Sequence, residues 1–292
     1  MFDIITDSAS NLTEDLAVQY NIKIVSYVCN MDGVSYMCYE PGRDDEKDGK
    51  FFYDKLREDA DVTTSLLSPG TLMEVFEQSL EQGRDVLFVA MSSGLTGTYQ
   101  SALIAKEELE DKYPDNKCVI VDSLAASLGE GFMAIEASKL RDKGMSLSET
   151  AEWIDNNKLK MRHIFTVDNL KYLRKGGRIS ASASLVGNVL GIKPILYATD
   201  LGKIELYKTV RGRKKSLSAL IDDYRQYCDF ANNPIVGIAH CDCKEDALHL
   251  ENEIKIITPD ATIINRVYDR CSGTHVGPGA ICLFYMGKDR GY

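Results

Sequence analysis

The chain has 292 residues, of which 44% are hydrophobic and 27% are charged. This is ordinary globular composition, and the length predicts about two domains. The 34 Lys and Arg residues against 44 Asp and Glu residues give a net charge of −10, which disfavours a nucleic-acid-binding surface spread over the whole protein. No apolar run approaches the ~20 residues of a membrane-spanning helix, so we expect no stable membrane insertion.

The first half of the sequence alternates short apolar runs with helical patterns. Strands are expected at residues 2–6, 22–28, 86–91 and 117–122. Helices are expected at 11–20, 51–59 and 98–113, and after the start signals Ser68-Pro69 and Ser146 to Glu149. This alternation predicts an N-terminal, mostly parallel three-layer α/β/α domain over residues 1–160.

The second half mixes a hairpin with strands and helices. Strands are expected at residues 163–167, 195–198, 203–210, 235–240, 262–268 and 280–286. Helices are expected at 169–175, 214–228 and 244–257, and the Thr199 to Gly202 segment is a hairpin turn signal. The pattern predicts a C-terminal mixed-sheet α/β domain over residues 161–292.

The N-terminus lacks the basic and apolar regions of a signal peptide, so we expect a cytoplasmic protein. In that compartment the eight cysteines are expected to stay reduced. The tightest cluster runs from His240 to Cys243, but no second cysteine pair stands at zinc-site spacing. We therefore predict no metal and no cofactor.

Small polar residues follow several of the predicted strands. They are Thr6-Asp7-Ser8, Thr63-Thr64-Ser65, the segment from Ser92 to Thr98, and Asp122-Ser123. Open parallel sheets bind ligands at the carboxyl ends of their strands, and a hydroxyl-rich turn that opens a helix presents free N–H groups to an anion. The plainer alternative is that these side chains only cap helices. Phosphate-binding glycine motifs are absent, so neutral hydroxyl donors point to one modest anion such as a carboxylate.

A glycine-rich segment near the C-terminus, Gly273 to Gly279, contains His275 and is predicted to be a turn between two strands. A histidine in such a turn either contacts a ligand or has a structural role, and both remain open. The other histidines, His163, His240 and His249, are expected to be structural or surface residues.

Two basic runs stand out on this acidic chain. The first contains Lys171, Arg174, Lys175 and Arg178, and the second extends from Arg211 to Lys215. A solvated basic face is the default interpretation. A patch for an acidic partner or for a phosphate in transit is the alternative, and we expect no nucleic-acid binding.

Five motifs together resemble the DegV family of bacterial fatty-acid-binding proteins. They are Thr6 to Ser10, Thr64-Ser65, Ser92 to Thr98, Leu173 to Ser180 and His275 to Gly279. The resemblance covers residues 3–287. It implies a two-domain α/β protein that holds one long-chain fatty acid, such as palmitate or oleate, between its domains.

The resemblance also implies roles for single residues. The carboxylate contacts would be Thr64, Thr96 and His275, with Ser65, Ser93 and Gly97 beside them. In the family such a protein presents the fatty acid to a separate fatty acid kinase, and Arg211 corresponds to the arginine that docks the kinase. The protein itself would be a non-catalytic carrier and a monomer.

Two positions depart from the family pattern. Leu66-Leu67 stands where the family usually has Gln-Pro, and Thr96 stands where Ser is common. The leucines are expected to reshape the mouth or the tail channel, whereas Thr96 keeps its hydroxyl group.

An enzymatic alternative remains. Ser93 or Thr96 with His275, and with Asp7 as the carboxylate, would supply the residue types of an acyl hydrolase or transferase. Against it, no serine stands in the G-x-S-x-G motif that positions a nucleophile in many such enzymes.

Overall fold

The computed structural model describes residues 1–179, 191–232 and 235–290, and its strands form three sheets. The strands of the first half are β1 Phe2–Asp7, β2 Ile22–Val25, β3 Val28–Met31, β4 Val34–Met37, β5 Val62–Ser65, β6 Asp85–Ala90 and β7 Cys118–Asp122. Those of the second half are β8 Met161–Thr166, β9 Ile192–Ala198, β10 Ile204–Arg211, β11 Ile235–His240, β12 Thr262–Val267 and β13 Ile281–Met286.

The α-helices of the described residues connect these strands. They are α1 Glu14–Gln19, α2 Asp45–Arg57, α3 Pro69–Leu80, α4 Thr98–Glu110, α5 Leu128–Asp142, α6 Leu147–Asn157, α7 Lys171–Lys175, α8 Arg213–Tyr227, α9 Lys244–Ile257 and α10 Arg270–Val276. Within the described ranges, none of the helices combines the length and the apolar character needed to cross a bilayer.

The predicted parallel sheet is confirmed. Its strand order is β2-β1-β6-β7, and all three pairings are parallel. Helices α3 and α4 pack together on this sheet, and so do α5 and α6. The predicted helix starts are also present: Ser68 caps α3 with Pro69 in the first turn, and Ser146 with Glu149 forms a capping box on α6.

The second sheet is mixed, as the sequence predicts. Its order is β10-β9-β8-β13-β11-β12, and only β11 and β12 pair in parallel. Helices α8 and α9 form a separate core with one face of this sheet. The other face packs against α5, which therefore contacts both large sheets.

A third sheet was not predicted. The expected strand over 22–28 divides at Ser26 and Tyr27, and its second part begins a three-stranded antiparallel sheet in the order β4-β3-β5. Thr64 therefore lies in a strand, paired with Cys29, and the prediction of a polar turn at 63–65 was wrong.

Three helices also differ from the expectations. Helix α2 begins at Asp45, six residues before residue 51, because Asp44 caps it and three acidic residues occupy its first turn. Helix α5 was missed because nearly its whole surface is buried, which removes the amphipathic period. Helix α10 replaces the predicted turn at 273–279: Asp269 caps it, and it continues through His275 to Val276.

The predicted boundary at residue 160 coincides with a short 3-10 turn, Lys158–Lys160, that leads into β8. The strands of the parallel and three-stranded sheets all precede it, and those of the mixed sheet follow it. The division into two folding units stays a prediction.

A buried ion pair lies under α8 on the outer face of the mixed sheet. Arg162 is fully buried on β8 and contacts Asp223 of α8 at 3.3 Å, and Tyr285 also donates a hydrogen bond to this carboxylate. Two charged groups in an apolar core are tolerated only while each compensates the other.

We expect Asp223→Ala to destabilise the protein by about 3 kcal/mol, because it leaves the Arg162 charge buried without its carboxylate. The neighbouring Asp222 forms an exposed pair with Arg225, so Asp222→Ala is the matched control and should cost less than about 0.5 kcal/mol. Urea unfolding followed by circular dichroism measures both values. Equal losses in the two variants would contradict this account.

Candidate functional site

A cavity of about 220 Å³ lies between the inner face of the mixed sheet and the loops of the first half. This volume is several times the roughly 30 Å³ that one water molecule occupies in the liquid. The walls come from β8, β13, β9, β10 and α10 on one side and from the loops after β6 and β7 on the other. The site is therefore assembled from both halves of the chain.

Most of the cavity wall is apolar. The apolar side chains that line it include Met91, Leu95, Phe165, Ala198, Ile204, Val276 and Phe284. Apolar cavities of this size exclude water and accept apolar ligands. The chemistry of this wall fits a hydrocarbon chain.

One end of the cavity is polar. Thr64 on β5 and His275 in the last turn of α10 both line it, and Thr64 Oγ1 shares a hydrogen bond of 3.0 Å with His275 Nε2. His275 Nδ1 is buried and bonds to none of the described residues. A side chain at Gly176 would collide with this nitrogen, so the glycine after α7 allows the imidazole to reach the cavity.

The imidazole of His275 is neutral. Burial lowers the pKa of His275 to about 4, and the positive charge of Arg178 adds to this effect. Arg178 itself lines the cavity and donates from Nε to the Leu95 carbonyl at 3.2 Å and from Nη1 to the Gly176 carbonyl. The polar end therefore offers mostly neutral donors.

The glycine-rich loop between β6 and α4 forms another part of the cavity wall. Thr96 and Gly97 line the cavity, and Thr96 Oγ1 lies 3.2 Å from Thr98 Oγ1 at the start of α4. The hairpin turn between β9 and β10 packs on this loop, where Ser92 Oγ donates to the Gly202 carbonyl at 2.8 Å. The loop is thus fixed by the second half of the chain.

The other predicted site residues divide into two groups. Ser65 lines the cavity, whereas Ser93 does not, and the Ser93 amide donates to Asp122 at 3.1 Å. Asp7 is fully buried behind the wall and is not itself a lining residue.

The two leucines at 66 and 67 have different positions. Leu66 lines the cavity, is 53% exposed, and lies 3.5 Å from the point where a side chain on Gly97 would begin. It therefore bridges the Thr64 and Thr96 segments at the mouth. Leu67 is buried in the core and does not line the cavity.

The first basic run is largely engaged in contacts. Lys171 pairs with Asp59 at 2.9 Å, and Lys175 pairs with Asp61 at 2.7 Å. Both pairs join α7 to the connection between α2 and β5. The last residue of the family-like motif in this region, Ser180, lies outside the described residues.

The second basic run lies on the surface. Arg211 ends β10 and is exposed, as are Lys214 and Lys215 in the first turn of α8. The next arginine, Arg213, differs because it pairs with Asp246 at 2.7 Å.

Sequence reasoning missed several residues of the site. Tyr27, Tyr268 and Cys271 line the cavity, and so does His163, which was expected to be only structural or a surface residue. Tyr27 stands in an apolar run whose division into two strands is not visible in the sequence. Arg178 was noticed only as part of a basic run. The proximity of each of these residues to the cavity comes from tertiary packing.

The cysteines give no sign of a metal centre. All eight are free thiols, and burial raises the pKa of Cys243 to about 12. Across the three described ranges, no group of three or more His, Cys, Asp and Glu side chains is placed to hold a metal ion.

The model of an uncharacterised protein family, DegV, matches residues 1–288. The chain belongs to the DegV family. A DegV domain-containing protein from Clostridium perfringens is 39% identical over 99% of this chain and 98% of its own length.

Two solved structures have closely similar folds. One, from Thermus thermophilus, is described as a fatty-acid-binding DegV protein; it has a TM-score of 0.86 and 26% identity over 98% of this chain and 99% of its own. Another, a stearic-acid-binding protein from Eubacterium ventriosum, has a TM-score of 0.86 and 26% identity over 99% of both chains. Both of these neighbours are thus described as binding a fatty acid.

The neutral state of His275 predicts a pH dependence of stability. The unfolded chain binds a proton on this imidazole near pH 6.5, whereas the folded chain binds it only near pH 4. Between these values the unfolded state carries more protons, so folding stability falls as the pH falls through this window.

We expect His275→Asn to reduce this acid sensitivity by on the order of 2 kcal/mol between pH 6.5 and pH 4.5. Urea unfolding at a series of pH values measures it. Exposed His249 provides the control variant His249→Asn, which should follow the wild-type profile. An unchanged profile for His275→Asn would show that its imidazole is not buried in the neutral form.

Proposed function

We propose that this protein binds one long-chain fatty acid, with the acyl chain in the cavity and the carboxylate at its polar end. The observation that carries the proposal is the cavity itself, which is apolar along most of its wall and is also lined by Thr64, Thr96 and His275. The fatty-acid binding described for the Thermus thermophilus and Eubacterium ventriosum neighbours supports it. In this proposal the protein binds the fatty acid without a cofactor.

The carboxylate would be held by neutral donors. Thr64, Thr96 and His275 are the proposed contacts, and Ser65 and Gly97 line the same end. Ser93 would act only indirectly, since its amide is engaged by Asp122. Hydrogen bonds to a charged group are each worth about 1.5–3 kcal/mol, enough to fix the orientation of the ligand.

Most of the affinity would come from the acyl chain. Each methylene group that leaves water contributes about 0.8 kcal/mol, so chain length should affect binding more than any one polar contact. Leu66 at the mouth would shield the carboxylate from solvent, because its side chain connects the two segments that hold the headgroup.

We further propose that the protein is a monomeric, non-catalytic carrier that presents the carboxylate to a fatty acid kinase. Because the kinase would use ATP, we expect this presentation step to take place in the cytoplasm. Arg211 supports a docking role because it is exposed on a surface segment with Lys214 and Lys215. Positive charges at the rim of an interface steer an acidic partner.

The geometry favours a carrier over the hydrolase or transferase alternative. A histidine whose pKa is about 4 is a weak general base at neutral pH. Its Nδ1 has no carboxylate partner within the described part of the chain, whereas a catalytic triad needs one to orient the ring.

We expect Thr96→Val and His275→Ala each to weaken palmitate binding by about tenfold to hundredfold, because each removes a hydrogen bond to the carboxylate. Titration calorimetry measures the affinity, and native mass spectrometry detects the fatty acid that co-purifies with the protein. Exposed Thr209 and His249 give the controls Thr209→Val and His249→Ala. Wild-type affinity in both site variants would refute the headgroup assignment.

We expect Arg211→Ala to slow acyl-phosphate formation by a purified ATP-dependent fatty acid kinase at least about fivefold, while palmitate affinity is unchanged. The loss should diminish at high salt, where the steering charge is screened. Exposed Lys143, outside both basic runs, gives the control Lys143→Ala, which should keep the wild-type rate. Equal rates for Arg211→Ala and wild type would remove Arg211 from the docking surface.

A further inference from the structure

A chain of buried hydroxyl groups connects the polar end of the cavity with a carboxyl group in the core. Thr96 Oγ1 lies 3.2 Å from Thr98 Oγ1, and Thr98 Oγ1 lies 2.7 Å from the Tyr27 hydroxyl. The Tyr27 hydroxyl in turn lies 3.4 Å from Asp7 Oδ2. Tyr27, Thr98 and Asp7 are all buried, so bulk water does not compete for these bonds.

Asp7 is held firmly at the end of β1. Its Oδ1 accepts a hydrogen bond from the Ala9 amide at 2.9 Å, and its Oδ2 accepts one from the Met91 amide at 3.1 Å. The carboxyl of Glu130 on α5 lies beside it and also accepts a hydrogen bond from Thr6 Oγ1 at 2.8 Å. Two carboxyl groups thus share one buried site.

Four groups from three parts of the chain face Asp7. They are Glu130 on α5, Tyr27 before β3, Asp269 at the cap of α10 and Cys271 within α10. Burial is the main cause that raises the pKa of Asp7 to about 7, while its two amide contacts oppose the shift. Burial and the neighbouring Asp7 charge raise the pKa of Glu130 well above its ordinary value. The pair therefore keeps one proton throughout and gains a second near neutral pH.

The direction of the hydroxyl chain depends on that second proton, because each hydroxyl group has a single hydrogen to donate. When Asp7 is ionised it can only accept, so Tyr27 donates to it, Thr98 donates to Tyr27, and Thr96 donates to Thr98. Thr96 then has no hydrogen left for a ligand. When Asp7 is protonated the whole chain reverses, and Thr96 donates into the cavity.

We propose that Asp7 is a positioning residue that sets the direction of this hydroxyl chain and so couples fatty-acid binding to the uptake of one proton. The inference rests on the proposed function, since it requires a carboxylate next to Thr96. A bound carboxylate accepts the Thr96 hydrogen and stabilises the arrangement in which Asp7 holds its proton. The proton comes from solvent and returns there when the ligand leaves.

This coupling to one proton determines how palmitate affinity changes with pH. Below pH 7 Asp7 already holds its proton, and binding is independent of pH. Above pH 7 the ligand-free protein has lost the proton and must take it up on binding, so palmitate affinity falls by up to about tenfold per pH unit. Affinity would be measured from pH 6 to pH 8.5, above the range in which His275 titrates.

The decisive variant is Tyr27→Phe, which keeps the ring and removes the link between Asp7 and Thr98. Thr98 and Thr96 are then free to donate at every pH, so affinity should change less than about twofold across the range. At pH 8.5 the variant should bind palmitate more tightly than wild type. If Tyr27 had only a structural role, Tyr27→Phe would weaken palmitate binding instead.

A second variant and a matched control complete the experiment. Thr98→Val interrupts the chain at another point and should give the same flat profile. Tyr224 forms a similar buried bond, 2.9 Å from its hydroxyl to Thr258 Oγ1, so Tyr224→Phe should keep the wild-type pH dependence. Calorimetry at pH 8 in buffers of different ionisation enthalpy should detect the uptake of roughly one proton in wild type and none in Tyr27→Phe.

Three results would overturn the proposal that Asp7 sets the direction of the hydroxyl chain. They are a flat wild-type profile with tight binding, an unchanged pH dependence in both Tyr27→Phe and Thr98→Val, and a lost pH dependence in Tyr224→Phe. Failure of the wild-type protein to bind palmitate at any pH is a different outcome, since it would reject the proposed function itself.

Discussion

Helix α5 is the constraint on which the rest of the structure depends, because it packs against both large sheets at once. Its small residues allow this close approach. A side chain at Gly131 would lie 2.6 Å from the Ser10 carbonyl, and one at Gly237 of β11 would lie 3.0 Å from Phe132 of the helix. A side chain at Gly129 would collide with the His163 ring. The two halves are thereby held at a fixed spacing, and the cavity occupies the space beyond the start of the helix.

The same helix also places a carboxyl group in the interior of the protein. Glu130 lies in its first turn, fully buried beside Asp7. Two carboxyl groups so close together in an apolar core cannot both ionise, so the pair holds a proton that a surface pair would release. Through Tyr27 and Thr98 this proton is connected to the hydroxyl group of Thr96. A change in the protonation of the core carboxyl pair is therefore coupled to the hydrogen bonding of Thr96 at the proposed ligand site.

The sequence could predict those parts of the fold and of the candidate site whose signals are local patterns in the chain. The strand at 86–91 and the capping box at Ser146 are local patterns, and both predicted elements are present. Thr64, Thr96 and His275 were singled out from local motifs and all line the cavity. Helix α10 was missed because Gly273 inside it disfavours a helix until the Asp269 cap and tertiary packing outweigh this cost. Helix α5 lacked an amphipathic period because it is buried on nearly all sides.

By itself the sequence determined the alternation of strands and helices, the parallel and mixed character of the two large sheets, and the chemistry available for an anion. These properties follow from periodicity, capping and residue type, which act over a few neighbouring positions. Only the tertiary structure decided that Leu66 lies at the mouth while Leu67 enters the core, and that Tyr27 and Arg178 line the cavity. Contacts between residues far apart in the chain depend on how buried surfaces fit together, and no local pattern records that fit.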